Sequence, residues 1–181
     1  MTDGSHISLL IEGYPRTGYQ TYAKMVGGST GGLCIGRLHP DYVAQKYGLD
    51  RAKRYWLSNQ KGEDVISPKS LHHLVKVVRS ELRGRAGGKV LLDGLEYLLL
   101  FNDMAKVLSA LEEIEALLRQ ANVELIIVLD PLTLEEKDLV RLWDLFPRYT
   151  AEELLGREVT VRPQLIAGGV PATVGPEMAD L

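Results

Sequence analysis

The sequence lacks the features that mark several classes of protein. It has one cysteine, Cys34, in the apolar run GLCIG, which excludes an internal disulfide and disfavours a thiolate metal site. No apolar run approaches the roughly 18 residues of a membrane span, and the N-terminus has no signal-peptide pattern. The four histidines have no acidic or thiol partners at ligand spacing, so we predict no metal site. A reducing cytoplasm is the expected location.

An excess of charge of one sign is also lacking. Lys and Arg number 21 and Asp and Glu number 24, for a formal net charge of −3, and the two signs are interspersed. This balance offers no basic surface for nucleic acid, so we predict no nucleic-acid partner. With 181 residues, 45% of them hydrophobic, the chain has the composition of one globular domain with a substantial core.

Residues 7–21, ISLLIEGYPRTGYQT, predict a buried strand, a glycine loop and the start of a helix. Gly13 and Gly18 have the spacing of G-x-x-x-x-G, the frame of a phosphate-binding P-loop. Such a loop binds phosphate through backbone N–H groups, a Lys, and a Ser or Thr that holds Mg²⁺. Here Tyr19 and Gln20 replace those two residues, and Arg16 lies inside the loop as a cation. The frame is either a degenerate phosphate site or a tight strand-to-helix turn.

The run KVLLDG, residues 89–94, predicts a strand buried on both faces, which is typical of parallel sheets. Asp93 ends this strand, where open α/β sheets bind ligands and where a Walker B strand carries its Mg²⁺-binding carboxylate. Similar strands are predicted at residues 7–12, 33–36 and 125–129. With helices between them, they predict an α/β fold, a mainly parallel sheet flanked by helices.

Helix signals separate these strands. Helices are predicted at residues 19–26, 40–47 and 104–120, and another begins with Ser67 as the cap and Pro68 in its first turn. Two further helices begin with capping boxes, Thr133 with Glu136 and Thr150 with Glu153.

The pattern predicts one domain over residues 1–155. Residues 156–181 contain four glycines and three prolines, with one candidate strand at residues 158–161. We expect this C-terminal extension to be partly extended or mobile and available for contacts.

Several motifs, in order, carry a resemblance to known families. LLIEGYPRTGYQTYAKMV followed by GLCIGRLHP resembles the opening of the KaiC/RecA-like ATPases. More closely, GLCIGRLHPD, YWLSNQKGEDVISP and KVLLDGLEYLLLFND together resemble the domain of unknown function 835 family, over roughly residues 7–146. That family occurs mainly in archaea, often joined to sensor and signalling modules, and has no established activity.

The resemblance implies a RecA-like P-loop architecture. In that topology the strand at residues 125–129 lies between those at 7–12 and 90–93. The strand at residues 33–36 then lies outside the one at 90–93. Right-handed crossovers make this order accessible.

The resemblance also shows what has been lost. KaiC-like ATPases follow the second strand with paired glutamates that activate water, and the matching positions here are Leu38 and His39. The loop lysine, the magnesium-binding hydroxyl and the catalytic acids are therefore all replaced. We predict no catalytic residues and no cofactor. The vestigial phosphate-loop and Walker B positions are Gly13, Arg16, Gly18, Tyr19 and Asp93.

Three functions remain open. The favoured one is a non-catalytic pseudo-ATPase domain that acts as a protein-interaction or signalling module, with a protein partner and self-association as a homo-oligomer. The alternative is a sensor that binds a nucleotide or another anion at Gly13–Gly18 without hydrolysis, using Arg16 and backbone N–H groups. The third is an enzyme of unrelated chemistry that uses acids at strand ends, namely Glu12, Asp93, Glu96 and Asp130.

Overall fold

Parallel strands form one sheet in the computed structural model, which describes residues 4–13, 16–27 and 32–157. The seven strands of the described chain are β1 (Ile7–Ile11), β2 (Leu33–Gly36), β3 (Lys53–Leu57), β4 (Val65–Ile66), β5 (Lys89–Asp93), β6 (Glu124–Leu129) and β7 (Arg148–Tyr149). Their order across the sheet is β4-β3-β2-β5-β6-β1-β7, and every pairing is parallel.

The strand order confirms the expected topology. β6 lies between β1 and β5, and β2 lies on the far side of β5. Leu125 of β6 is in register with Ile7 on one side and Val90 on the other. The central strands are apolar along nearly their whole length because helices cover both of their faces. The α/β fold with a parallel sheet is therefore established.

Helices cover both faces of the sheet. They are α1 (Gly18–Val26), α2 (Pro40–Tyr47), α3 (Leu71–Leu82), α4 (Leu95–Phe101), α5 (Met104–Ala121), α6 (Glu136–Leu145) and α7 (residues 151–157). Successive strand residues point to opposite faces. Leu92 accordingly packs in one core with α3, α4, α5 and α6, and Leu91 packs in the other with α1, α2 and α7.

Two predicted helix starts are wrong. α3 begins at Leu71, and its cap is Ser70, whose hydroxyl accepts a hydrogen bond from His73 N at 3.1 Å. Ser67 instead closes a turn, because its carbonyl accepts from Ser70 N and its hydroxyl accepts from Lys69 N. Proline at the next position favours such a turn as readily as a first helical turn.

The predicted capping box of Thr133 with Glu136 is also wrong. Thr133 lies in a short 3-10 turn, Pro131–Thr133, and its hydroxyl donates to Asp130 O. α6 then begins at Glu136 without a side-chain cap. The second box is confirmed, since Glu153 N donates to Thr150 Oγ1 and Thr150 N donates to Glu153 Oε1.

Three elements were not predicted, namely the short strands β4 and β7 and the helix α4. Residues 55–58, for which a strand or an extended segment was open, belong to β3 up to Leu57. The helix after Thr150 continues through residue 157, past the predicted end at Gly156. The candidate strand at residues 158–161 and the rest of the extension lie outside the described residues.

Membrane-spanning helices and metal-binding clusters are both absent from the described residues. None of these helices combines the length and the apolar character that crossing a membrane requires. Within the same residues, no group of three or more His, Cys, Asp or Glu side chains is placed to hold a metal ion.

Candidate functional site

The predicted phosphate-loop residues meet at the carboxyl end of the sheet, where β1 turns into α1. β1 ends at Ile11, and Glu12 N continues the ladder by donating to Leu129 O at 3.0 Å. The chain then reverses, and α1 begins at Gly18 with Thr17 as its cap residue, which makes no side-chain capping bond. The first N–H groups of α1 therefore need another acceptor.

Glu12 supplies that acceptor. Its Oε1 accepts hydrogen bonds from Thr17 N at 2.9 Å and from Gly18 N at 2.7 Å. The Glu12 side chain is only 2% exposed. Two backbone amides at the positive end of a helix are favourable hydrogen-bond donors for a carboxylate. The N–H groups of Thr17 and Gly18 thus bind a carboxylate that belongs to the chain itself.

Arg16 joins this carboxylate to the neighbouring strand. Its Nε donates to Glu12 Oε2 at 2.7 Å, and its Nη2 donates to Asp93 Oδ1 at the end of β5. Burial by itself would lower the pKa of Arg16. The hydrogen bond to Glu12 and the charges of both carboxylates raise that pKa on balance, so the guanidinium stays charged. One cation therefore bridges two buried carboxylates.

Asp93, the second carboxylate of the cluster, is almost completely buried. Its side chain is 1% exposed. Burial raises its pKa, the Arg16 charge opposes that rise, and the Glu96 charge adds to it. Asp93 Oδ2 has no hydrogen-bond partner in the described structure. With both carboxylates ionised, the two carboxylates and one guanidinium carry a formal net charge of −1, so the cluster is one positive charge short of neutrality.

Tyr19 fills the place beside Asp93. Its ring is buried and stacks on Tyr47 with centroids 5.3 Å apart. Burial, and then the Asp93 charge, raise the pKa of the Tyr19 hydroxyl well above its usual value. The two groups are close enough for each to influence the other's pKa, yet Tyr19 Oη reaches hydrogen-bonding geometry with no atom of the described chain. The cluster thus contains two buried polar atoms that are not satisfied.

Two glycines allow this packing. A Cβ on Gly36 would lie 1.9 Å from Tyr19 Oη, so the end of β2 accepts the Tyr19 ring only because residue 36 has no side chain. A Cβ on Gly18 would lie 2.7 Å from a methyl carbon of Val128. By contrast, Gly13 is exposed, and a Cβ there would meet no atom of the described residues within 4 Å. The first glycine of the G-x-x-x-x-G frame is therefore not required by packing.

The structure brings together four of the five predicted site residues: Arg16, Gly18, Tyr19 and Asp93. Gly13 remains on the surface of the loop. Glu12, the most connected residue of the cluster, was predicted only as one of several acids at strand ends. A signal was available, because an acid directly after a buried strand and before a glycine loop can reach the amides of the next helix.

The other candidate residues lie elsewhere. His39 is the cap of α2, where its Nδ1 accepts from Asp41 N, and Leu38 packs with the core on the α1 side. Asp130 accepts from Leu132 N in the 3-10 turn, and Glu96 Oε2 lies 3.5 Å from Arg37 Nη1. Of the four candidate acids, Glu12 and Asp93 therefore meet at Arg16, whereas Glu96 lies beside Arg37 and Asp130 belongs to the 3-10 turn.

Cys34 is buried in β2 on the α1 side of the sheet. Burial raises the pKa of its thiol to about 12. A thiol in this environment is not a nucleophile at neutral pH.

These observations define a class of protein. It is an α/β protein with a parallel sheet, in which an internal carboxylate caps the strand-to-helix loop at the carboxyl edge. The chain belongs to the DUF835 family, described as a protein of unknown function, whose family model matches residues 15–146. A comparison with curated proteins gives no match.

Proposed function

We propose that this chain is a non-catalytic RecA-like domain, a pseudo-ATPase, that acts as a protein-interaction or signalling module. The observation that carries the proposal is the position of Glu12. In a P-loop the N–H groups at the start of the helix bind phosphate. Here Thr17 N and Gly18 N donate to the Glu12 carboxylate instead. Nucleotide binding would require this buried anion to leave.

The charges of the cluster argue in the same direction. A triphosphate in the loop would meet Glu12 and Asp93, while Arg16 already pairs with both carboxylates. Two like charges at about 4 Å repel by roughly 4 kcal/mol at an effective dielectric of 20. Tyr19, at the position of the P-loop lysine, contributes no positive charge to offset that repulsion. We infer that Mg·ATP binds weakly or not at all.

The residues that would activate water for hydrolysis are replaced as well. The positions that match the water-activating glutamates are Leu38 and His39, and His39 is engaged as the cap of α2. Catalysis requires that group in addition to binding. What remains is a stable α/β scaffold, which supports the choice of an interaction role over an enzymatic one.

The alternative proposal is an anion sensor at Gly13–Gly18. The observation that favours it is Arg16, whose side chain is 49% exposed and thus accessible to a ligand. Under this alternative, an incoming anion would displace the Glu12 carboxylate and accept the two hydrogen bonds from Thr17 N and Gly18 N in its place. The two proposals differ in whether the wild-type protein binds an anion at the loop.

Isothermal titration calorimetry with Mg·ATP, Mg·ADP and phosphate separates them. We expect no tight binding by the wild type. The double variant Tyr19→Lys, Gln20→Thr should gain little, because Glu12 still occupies the loop amides. Adding Glu12→Ala should produce measurable Mg·ATP binding, still without hydrolysis.

The matched control combines the same double variant with Glu115→Ala. Glu115 also accepts a hydrogen bond from a backbone N–H, that of His6 at 2.8 Å, but it lies on α5 away from the loop. This control should not bind ATP. Tight binding by the wild type would replace our proposal with the sensor, and no gain in the triple variant would mean that the loop is only a turn.

A further inference from the structure

A row of cationic and aromatic side chains crosses the surface from the ends of β2 and β3 to the start of α3. Trp56 Nε1 donates to Arg37 O at 3.0 Å, and the Arg37 guanidinium lies 4.1 Å from the centroid of the Tyr97 ring. Tyr97 meets Phe101 edge-on at 5.6 Å, and Lys69 Nζ lies 5.5 Å from the Phe101 ring. These contacts connect the five residues into one row on the surface.

The Lys69 end of this row opens into a cavity of about 490 Å³ between the first turns of α3 and α5, which we call the α3–α5 groove. Leu71, Val75 and Ala110 give it apolar walls, and Lys69, His72 and Lys106 are among its polar lining residues. Asn102 fixes one wall, because its Nδ2 donates to Pro68 O and to Leu98 O, both at 2.9 Å. The groove is an open depression with a mixed lining, in which Leu71 is the accessible apolar residue, because Val75 and Ala110 are only 4% and 6% exposed.

The charge of the groove is unbalanced. Lys69 and Lys106 are exposed on its lining, where the one acidic residue is Glu113. The Glu113 carboxylate lies 3.9 Å from Arg79, on the α3 side. A lining with this excess of positive charge attracts carboxylates and repels basic segments.

An apolar anchor lies next to these charges. Leu100 and Phe101, at the end of α4, are 74% and 39% exposed. Aromatic and arginine side chains around an apolar pocket have the composition of the residues that dominate protein–protein binding. One face of Tyr97 and one face of Phe101 already contact Arg37 and Lys69, which leaves each ring less surface for stacking on nucleic-acid bases.

We propose that the α3–α5 groove, with Phe101 and Lys69 at its edge, docks a short acidic segment of a partner protein that carries an apolar side chain. The apolar side chain packs on the accessible apolar surface of Leu71 and Phe101, and the carboxylates pair with Lys69 and Lys106. This inference rests on the proposed interaction role and specifies the site and the chemistry of the partner.

The test uses a phage-displayed library of random peptides selected against the full chain. We expect selected peptides to combine Asp or Glu with Leu, Ile or Phe. A synthetic peptide of that consensus, followed by fluorescence anisotropy, should lose about tenfold or more in affinity with Lys69→Glu, Lys106→Glu. Phe101→Ala should lower the affinity by a smaller factor. The control Lys24→Glu, Lys46→Glu makes the same charge change at exposed lysines of α1 and α2, on the other face of the sheet, and should leave the affinity unchanged.

Several results would overturn the inference. They are a failure to select any peptide, a basic or charge-free consensus, and equal losses in the two double variants. Single-stranded DNA that binds through Lys69 and Lys106 would assign the groove to a different partner, as would self-association that those two substitutions abolish. Calorimetry with Mg·ATP on the same protein keeps the proposals distinguishable, because nucleotide binding would remove the proposed function and leave the peptide result readable.

Discussion

The two ends of the parallel strands, here called the amino edge and the carboxyl edge of the sheet, differ in how fully their buried polar groups are hydrogen-bonded. At the amino edge, Tyr22 Oη accepts from Leu33 N at 3.0 Å and donates to Lys89 O at 2.7 Å, which ties β2 to β5. Glu124, at the start of β6, accepts from Ser8 Oγ at 3.0 Å and from Lys89 Nζ at 3.1 Å. Each of these hydrogen-bond donors has an acceptor, and each of these acceptors has a donor.

At the carboxyl edge the matching is incomplete. Glu12 is satisfied by two amides and Arg16, but Asp93 Oδ2 and Tyr19 Oη are buried without a partner in the described structure. Tyr19 and Tyr22 lie one turn apart on the same helix, but only the Tyr22 hydroxyl makes hydrogen bonds within the described structure. Open α/β sheets bind ligands at the carboxyl edge, and a buried polar group without a partner in a native protein calls for an explanation. The contrast therefore makes the carboxyl edge the place where substitutions are most informative.

Removing the bridging cation tests the carboxyl edge most severely. Arg16→Met leaves the carboxylates of Glu12 and Asp93 buried without their cation. Breaking a buried ion pair on one side costs about 3 to 5 kcal/mol, and because Arg16 is half exposed we expect a loss of about 2 kcal/mol. Urea unfolding followed by circular dichroism measures it.

A matched substitution calibrates that result. Arg119→Met removes an exposed arginine that pairs with Glu115 at 3.0 Å, and it should cost less than about 1 kcal/mol. Adding Asp93→Asn to Arg16→Met should restore part of the lost stability, since one of the two buried charges is then gone. Equal losses for the two arginines would show that the cluster is no different from a surface ion pair.

The two tyrosines give a smaller and sharper contrast between the edges. Tyr22→Phe leaves Leu33 N and Lys89 O without the hydroxyl that serves both, and should lower the free energy of unfolding by about 1 to 2 kcal/mol. Tyr19→Phe removes a hydroxyl that has no partner in the described chain, and should be neutral or slightly stabilising. The two changes remove the same atom from the same helix, so each is the other's control.

A loss in Tyr19→Phe as large as that in Tyr22→Phe would contradict this contrast. It would mean that the Tyr19 hydroxyl bonds to Asp93 in solution, and that the carboxyl edge is as well matched as the amino edge.

Much of the fold could be predicted because it depends on local patterns. The runs LLI, VLLD and LIIV place apolar side chains on both faces of a strand, which is the pattern of a parallel sheet covered by helices on both sides. The position of Asp93 follows from that assignment, since the last residue of a parallel strand lies at the carboxyl edge. α4 was missed because LEYLLLF is apolar on every side and carries no helical period.

The content of the site could not be predicted in the same way. The place of Glu12 between a buried strand and a glycine loop indicates that its carboxylate can reach the next helix, but the binding of Thr17 N and Gly18 N is seen only in the folded chain. The place of Tyr19 depends on Gly36, which comes from a different strand. The start of α3 at Leu71, with Ser70 as its cap, likewise depends on a turn made by Ser67, because a serine followed by proline suits such a turn as well as a helix cap.

The smallest expected effect is a dependence on pH. Burial raises the pKa of Asp93 above its ordinary value of 3.8, against the opposing charge of Arg16. The folded protein therefore holds the Asp93 proton more tightly than the unfolded chain does. The stability that this proton contributes is fully present below pH 3.8 and is lost as the pH rises through the raised pKa of the folded state.

Asp93→Asn cannot titrate, so the free energy of unfolding of the wild type minus that of the variant should fall over this pH range. Urea titrations at a series of pH values from about 4 to about 8 measure that difference. A difference that instead grows with pH would mean that the pairing with Arg16 outweighs burial and lowers the Asp93 pKa. In that case the carboxyl edge would be electrostatically satisfied, like the amino edge.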